Sequence, residues 1–305
     1  MTKMVEMPSG LPVETSGQQE RARWCCAQLE EGNILFFPTT PFEFPSEDVQ
    51  FLLTQQQSGA RVHKNIAYRP VQDRLTGYAG GDAAQVTHLR EVMRRYSQRT
   101  IRFASELLAP YAEDWRVDFT SFRPQQEKGR QIRESARNDL LHFDSFPTRP
   151  ANGDRILRIF TNINPGEPRV WLTSETFEAL AERFAGSAGM PLPKGFAAPR
   201  RMALRLAGAV GLQSLARSPY DRWMLRFHHF LKANEEFQST CPRSRWEFPP
   251  FSTWLVFTDT VSHAVLSGQF ALEQTFLVSR HSLVIAEKSP VRILERLAGC
   301  TLTLN

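Results

Sequence analysis

The chain has 305 residues, 41% of them hydrophobic and 23% charged, the balance of an ordinary globular protein. Its mean hydropathy is −0.36, and it holds no apolar run of the roughly 18 residues that a membrane-crossing helix needs. Cys25 and Cys26 are adjacent while Cys241 and Cys300 stand alone, which excludes a metal-thiolate site or a disulfide framework; a net charge of +5, with arginine spread along the chain, leaves an anionic partner open.

Residues 1–20 are polar, with Glu6, Pro12 and Glu14 in place of a secretory signal. They are expected to form a flexible arm ahead of a single domain over 21–305, in a cytoplasmic protein. RARWCCAQLEEGN reads as a helix closed by Gly32, and ILFFP as a buried strand stopped by Pro38. From Val86 to Tyr111, apolar residues recur at three- and four-residue steps, which predicts a long helix, broken at most once, with Arg90, Arg94, Arg95, Arg99 and Arg102 on its solvated face. WRVDFTSFRP, LLHFDSF, RILRIFTNIN and PRVWLTS follow as four β-rich runs of one sheet. Residues 174–238 change to helical periodicity, from a capped start at Thr173 and Ser174. FSTWLVFTDTVSH and ALEQTFLVS return to strand, and VRILERLAG closes the chain as a short helix. The expected class is mainly β with α: a double-stranded β-helix (jelly-roll) core with N-terminal helices and a helical insertion at about 174–238.

His142 and Asp144 stand two apart in LLHFDSF, so in a strand both side chains leave one face. His263, at the end of the apolar run WLVFTDTVSH, supplies a third ligand. Two imidazoles and a carboxylate make the facial triad suited to Fe(II), with positions left for dioxygen and a chelating cosubstrate. The remaining histidines, His63, His88, His228, His229 and His281, have no partner at ligand spacing and read as structural or surface residues.

HFDSFPTRPANGDRILRIFTNINPGEPRVW, together with SHAVLSGQFALEQTF downstream, resembles the Kdo hydroxylase family, over most of the chain after residue 20. The resemblance implies a jelly-roll dioxygenase that uses Fe(II), 2-oxoglutarate and O2 to hydroxylate C3 of Kdo, giving Ko, in the lipopolysaccharide inner core. It implies His142, Asp144 and His263 as metal ligands and Kdo-lipid A as the partner, with no nucleic acid involved.

The distal carboxylate of 2-oxoglutarate calls for an arginine fork. Arg158 is the first candidate, because Ile156, Arg158, Phe160 and Asn162 share one strand face while Arg155 lies on the other. Arg169 and Trp171, on a common face of PRVW, and Arg123 are candidates for the same cavity; surface salt bridging explains them equally well. Gln274 and Thr275 occupy the region where related dioxygenases often place a carboxylate-binding arginine, and Arg280 comes late for that role. RRMALRLAGAVGLQSLAR, with Arg200, Arg201, Arg205 and Arg217 beside an apolar face, reads either as a helix packed into the insertion or as a peripheral contact with the anionic inner face of the bacterial inner membrane. Three alternatives stay open: a hydroxylase of another small molecule or lipid, a non-catalytic jelly-roll carbohydrate-binding protein, and a cupin-like isomerase or hydrolase using another metal.

Overall fold

The computed structural model describes residues 1–8, 17–59, 65–129, 137–209, 211–212 and 216–304. His63 and part of the segment around 210–215 lie outside them. Strand β1 (Met4–Glu6) opens the chain and pairs in parallel with β2 (Ile34–Phe37). Met7 is buried and its N–H donates to Phe36 O at 2.7 Å. The start of the expected arm is thus an ordered sheet edge; three residues were too few to show a period. Between the two strands runs α1 (Gln18–Glu30), which buries Ala22, Cys25, Cys26 and Leu29.

After α2 (Ser46–Leu53) and the short strands β3 (Ile66–Arg69) and β4 (Arg74–Thr76) comes α3 (Ala83–Leu107). Asp82 caps α3 by accepting from Gln85 N. Its inner face buries Leu89, Val92, Met93, Tyr96, Phe103 and Leu107, while Arg94 and Arg95 pair outward with Asp73 and Asp48, each at 2.5 Å. The helix breaks at Leu108, whose backbone is pushed out of helical geometry ahead of α4 (Ala109–Ala112), with Pro110 in its first turn.

The core strands are β5 (Trp115–Arg123), β6 (Arg155–Asn162) and β7 (Arg169–Thr176). The insertion then supplies α5 (Phe177–Phe184), α6 (Ala198–Ala209), α7 (Pro219–Ala233) and α8 (Glu235–Thr240). Strands β8 (Ser244–Phe248), β9 (Thr253–Phe257), β10 (Val261–Ser267) and β11 (Ala271–Val278) complete the sheets, and α9 (Pro290–Ala298) ends on Gly299 at φ 65°. Two expectations are corrected here. FSTWLVFTDTVSH is two strands, parted by a turn at 258–260, and SRWEF is a strand that the sequence reading passed over.

The large sheet has the order β1-β2-β9-β6-β11-β5-β3-β4, and the small one β10-β7-β8. Between them Trp171 meets Phe160 and Trp254 edge-on at 4.9 and 5.6 Å, and Phe248 stacks on Trp254 at 3.9 Å. The outer face of the large sheet is equally apolar: Leu157, Ile159, Leu255, Phe257 and Phe276 pack with residues of α1, α3 and α4. A sheet buried on both faces is stabilised by hydrophobic packing from either side, and any charge it carries must find a partner.

Candidate metal centre

His142, Asp144 and His263 each present one ligand atom within 4.8 Å of the others, and both histidines are buried. His142 Nε2 lies 3.7 Å from Asp144 Oδ1, and His263 Nε2 lies 3.9 Å from Asp144 Oδ2. Each imidazole donates Nδ1–H to a nearby backbone carbonyl, His142 to Leu140 O at 2.7 Å and His263 to Val261 O at 2.9 Å. With Nδ1 so occupied, the lone pair sits on Nε2, which turns toward the other two ligands. Trp171 stacks on the His263 ring at 5.3 Å.

The expected strand at LLHFDSF is replaced by an isolated bridge. His142 and His263 exchange backbone hydrogen bonds at 3.1 and 2.9 Å, and Asp144 N donates to Thr258 O at 2.8 Å. The helical insertion does the rest. Gln238 of α8 accepts from Leu141 N at 3.0 Å and donates to Leu141 O at 2.9 Å, and the His228 ring of α7 bonds Phe143 O at 2.7 Å. The side chain of Asp221, at the start of α7, accepts from Ala151 N and Asn152 N further along the same loop. Both residues on this loop are therefore positioned by the bridge to β10, the turn at Thr258 and the helices of the insertion, without a continuous ladder of strand bonds.

Electrostatics prepares the centre for a cation. Burial, reinforced by His263, Lys232 and His228, drives the His142 pKa well below the usual imidazole range; burial lowers that of His263 as well. For Asp144 burial alone would favour the neutral acid, but Arg158, His263 and His142 outweigh it and hold the carboxyl below the usual range. At neutral pH the set is thus two neutral imidazoles and one carboxylate, each in the form a metal requires.

Arg158 rises from β6 beside this centre, with Nε 3.1 Å from Asp144 Oδ2 and Nη1 2.9 Å from Glu273 Oε1. Glu273 also takes Arg123 Nη2 at 2.5 Å and the Thr275 hydroxyl at 2.9 Å. Glu127 lies 3.5 Å from Arg169 Nη2 and 4.0 Å from Arg123 Nη1. Arg169 is fully buried; burial, set against Glu127, leaves its pKa lowered to about 10. Asp144 Oδ2, Arg158 Nε, Arg169 Nε and Trp171 Nε1 are all buried without a hydrogen-bond partner among the described residues. Arg158 Nε and Asp144 Oδ2 face each other as an ion pair, while Arg169 Nε and Trp171 Nε1 beside them have no such partner, which points to a ligand site.

Arg123, Arg158, Arg169, Trp171 and Thr275 are thus brought together with the triad. Gln274 is not: its side chain lies on the opposite face, where Ser97 and Thr120 donate to its Oε1 at 2.8 and 2.6 Å. Alternation along β11 explains this, since Glu273 and Thr275 share the inner face and Gln274 points outward under α3. Arg280 sits apart, with its guanidinium near Asn152 O.

A family model described as 3-deoxy-D-manno-oct-2-ulosonic acid (Kdo) hydroxylase matches residues 12–301. Among solved structures, the apo form of the Kdo hydroxylase KdoO, a non-haem Fe(II) α-ketoglutarate-dependent dioxygenase, is 34% identical with a TM-score of 0.82, over 99% of this chain and 97% of its own. The same enzyme with α-ketoglutarate and Fe(III) is 33% identical with a TM-score of 0.81, again over 99% and 97%. No curated protein matches the chain. The chain belongs to the Kdo hydroxylase family. It shares the jelly-roll core expected from its sequence, and as a Kdo hydroxylase it is a dioxygenase dependent on Fe(II) and 2-oxoglutarate.

Several residues of this Kdo hydroxylase escaped the sequence reading. Glu273 was legible from the alternation that places Thr275 inward. His228 reads as a bystander in sequence, yet its ring meets that of His142 at 4.9 Å, a contact between distant segments that no local pattern shows. His88, His229 and His281 are exposed, as surface residues.

Proposed function

We propose that the enzyme hydroxylates C3 of Kdo, giving Ko, on Kdo-lipid A of the lipopolysaccharide inner core, with iron held by His142, Asp144 and His263. The observation that carries the site assignment is the convergence of these three ligand atoms beside Arg158 and the buried Arg169 Nε and Trp171 Nε1, which make no hydrogen bond among the described residues. Ferrous iron bound there, with 2-oxoglutarate and dioxygen, supplies the oxidant that inserts one oxygen atom into a C–H bond and the other into succinate, with release of carbon dioxide.

The chain's own residues bind, orient and exclude water. Arg158 is the leading anchor for the distal carboxylate of 2-oxoglutarate, with Arg123 and Arg169 behind it. The three arginines face Asp144, Glu127 and Glu273, so the floor is close to neutral by itself. A divalent cation then calls for a dianion, and 2-oxoglutarate is one. Thr275 holds Glu273 in place, and Trp171 fixes the plane of the His263 ring. Phe160, Val265 and Trp254 line the dry interior between the sheets.

The membrane contact rests on α6, which buries none of its residues and exposes Met202 and Leu206 beside Arg200, Arg201 and Arg205. Leu204 and Gly208 face the body of the protein near Ala151 and Ala216, which leaves the Met202 and Leu206 edge outward. Among the described residues no helix is long and apolar enough to cross a membrane, so contact would be peripheral.

The deciding experiment is mass spectrometry of lipopolysaccharide core from cells expressing the chain. One added oxygen on Kdo, lost in the Asp144→Ala variant, is the expected result; an unchanged core overturns the reading. Co-sedimentation with anionic liposomes should weaken on charge reversal at Arg201 and Arg205, and unchanged binding removes the membrane role.

A further inference from the structure

The edge of the large sheet carries an arrangement that neither iron nor 2-oxoglutarate accounts for. The Arg69 guanidinium lies over the Phe119 ring at 4.3 Å, and Arg149 covers Phe119 at 4.0 Å and Phe146 at 4.3 Å. Arg158, beside Asp144, stands 5.6 Å from the same Phe146 ring. Cations and aromatic rings therefore alternate in one stack, from the ligand-bearing loop outward to β3.

Two features of the backbone build it. In β5 the register with β11 slips, so that Asp118 and Phe119 together oppose the single Thr275; a bulge of this kind turns both side chains to one side. Arg69 in turn pairs across β3 and β4 with Arg74, and like charges directly opposite one another are destabilising. Among the described residues Arg149 has one carboxylate partner, Asp118. Arg69 Nε is buried without a hydrogen-bond partner among the described residues. Burial, with repulsion from Arg158 and Arg69, lowers the Arg149 pKa although Asp118 opposes it. Among the described residues this edge has more positive charge than its acids neutralise, and it is half-buried, so water screens it incompletely.

We propose that Arg69, held against the Phe119 ring beside the Arg149–Asp118 pair, forms a subsite for the carboxylate of the sugar-acid acceptor. The inference rests on the reading of the chain as a Kdo hydroxylase and adds which residues recognise the acid group. A carboxylate accepts from a planar guanidinium fork, and the Phe119 ring fixes the plane of the Arg69 fork in advance. In Kdo the carboxylate carbon and C3 are both bonded to C2, so a held acid group also fixes the position of the target C–H. Arg69 is a specificity residue of the acceptor and takes no part in holding the cosubstrate.

The test uses the protein loaded anaerobically with Fe(II) and 2-oxoglutarate, which cannot turn over. Calorimetric titration with free Kdo, with its methyl ester and with a sugar phosphate lacking a carboxylate reads the subsite directly. Kdo should bind the wild type at least about tenfold more tightly than the ester, which lacks the charge-assisted contact. In Arg69→Gln that gap should collapse while 2-oxoglutarate affinity stays unchanged. Arg69→Lys, which keeps charge without the fork, should restore only part of it. An undiminished gap in Arg69→Gln, equal affinities for acid and ester in the wild type, or a sugar phosphate binding as tightly as Kdo each overturn the carboxylate subsite. Absence of succinate formation with every Kdo acceptor under air would instead overturn the Kdo hydroxylase reading.

Discussion

Arg155 and Arg158 leave the same strand three residues apart, both from buried backbone, and they do different work. Arg155 projects to the outer face, where Nε binds Asp259 Oδ2 at 2.9 Å, Nη2 binds Asp259 Oδ1 at 3.2 Å and contacts Thr260, and the guanidinium lies 4.0 Å over Phe257. Arg158 projects to the inner face, where its Nε makes no hydrogen bond and its two carboxylate neighbours are a metal ligand and a residue shared with Arg123. One arginine is matched by a carboxylate of its own and secures the turn that leads to His263. The other has no carboxylate to itself, since Asp144 belongs to the triad and Glu273 is shared with Arg123. Burial alone does not separate the two; the pairing on each face does.

The largest effect that bears on this contrast should come from Arg155→Met, which strands Asp259 in an apolar setting and should cost about 3–5 kcal/mol of stability. Thermal unfolding would report it as a lower Tm, with the KM for 2-oxoglutarate unchanged in the folded fraction. Adding Asp259→Leu should recover much of the loss, whereas no recovery would mean that the pair does more than neutralise itself. Arg158→Lys comes next. It keeps the charge and loses the fork, so kcat/KM for 2-oxoglutarate should fall by roughly 10- to 100-fold, equivalent to about 1.4–2.7 kcal/mol, with Tm little changed. An equal drop in Arg155→Met would erase the distinction between the faces.

Acid should weaken the inner face by a smaller increment per pH unit. His142, His263 and His228 have folded-state pKa values below the ordinary 6.5, that of His228 lowered to about 4, chiefly by burial. Between the unfolded and folded values the unfolded chain binds more protons, so stability rises with pH there and is lost as pH falls below about 6.5. Each histidine contributes up to about 1.4 kcal/mol per pH unit in its window. Denaturant titrations of the metal-free protein at pH 7, 6 and 5 should show this slope, and a flat profile would refute the burial of the three rings. The smallest signal belongs to the outer face. Cys25, its pKa raised to about 11 by burial, and the buried Cys26 should stay unalkylated at pH 8 until the protein unfolds.

Much of this was legible in the sequence because alternation and helical period report which way a side chain points. Arg155 and Arg158 were separated correctly by that rule alone, and α1, β2, α3, β6, β7 and β11 stand close to where their apolar patterns place them. The same rule, applied to ALEQTF, would have exchanged Gln274 for Glu273. LLHFDSF failed for a different reason: its alternation suggested a strand, but the partners that fix it are Gln238, His228 and Thr258, drawn from distant segments. The ladder at the edge was hidden for the same cause. A bulge and a register slip decide which residues meet there, and neither leaves a trace in composition.

The loop that carries two of the proposed metal ligands is fastened by α7 and α8, so occupancy of the centre should be coupled to the firmness of the insertion. A cation at one hundred times its dissociation constant adds about 2.7 kcal/mol to the folded form. Part of that gain reaches helices that never touch the ion. Resistance to proteolysis in the insertion therefore reports, from a distance, whether the enzyme is charged with iron.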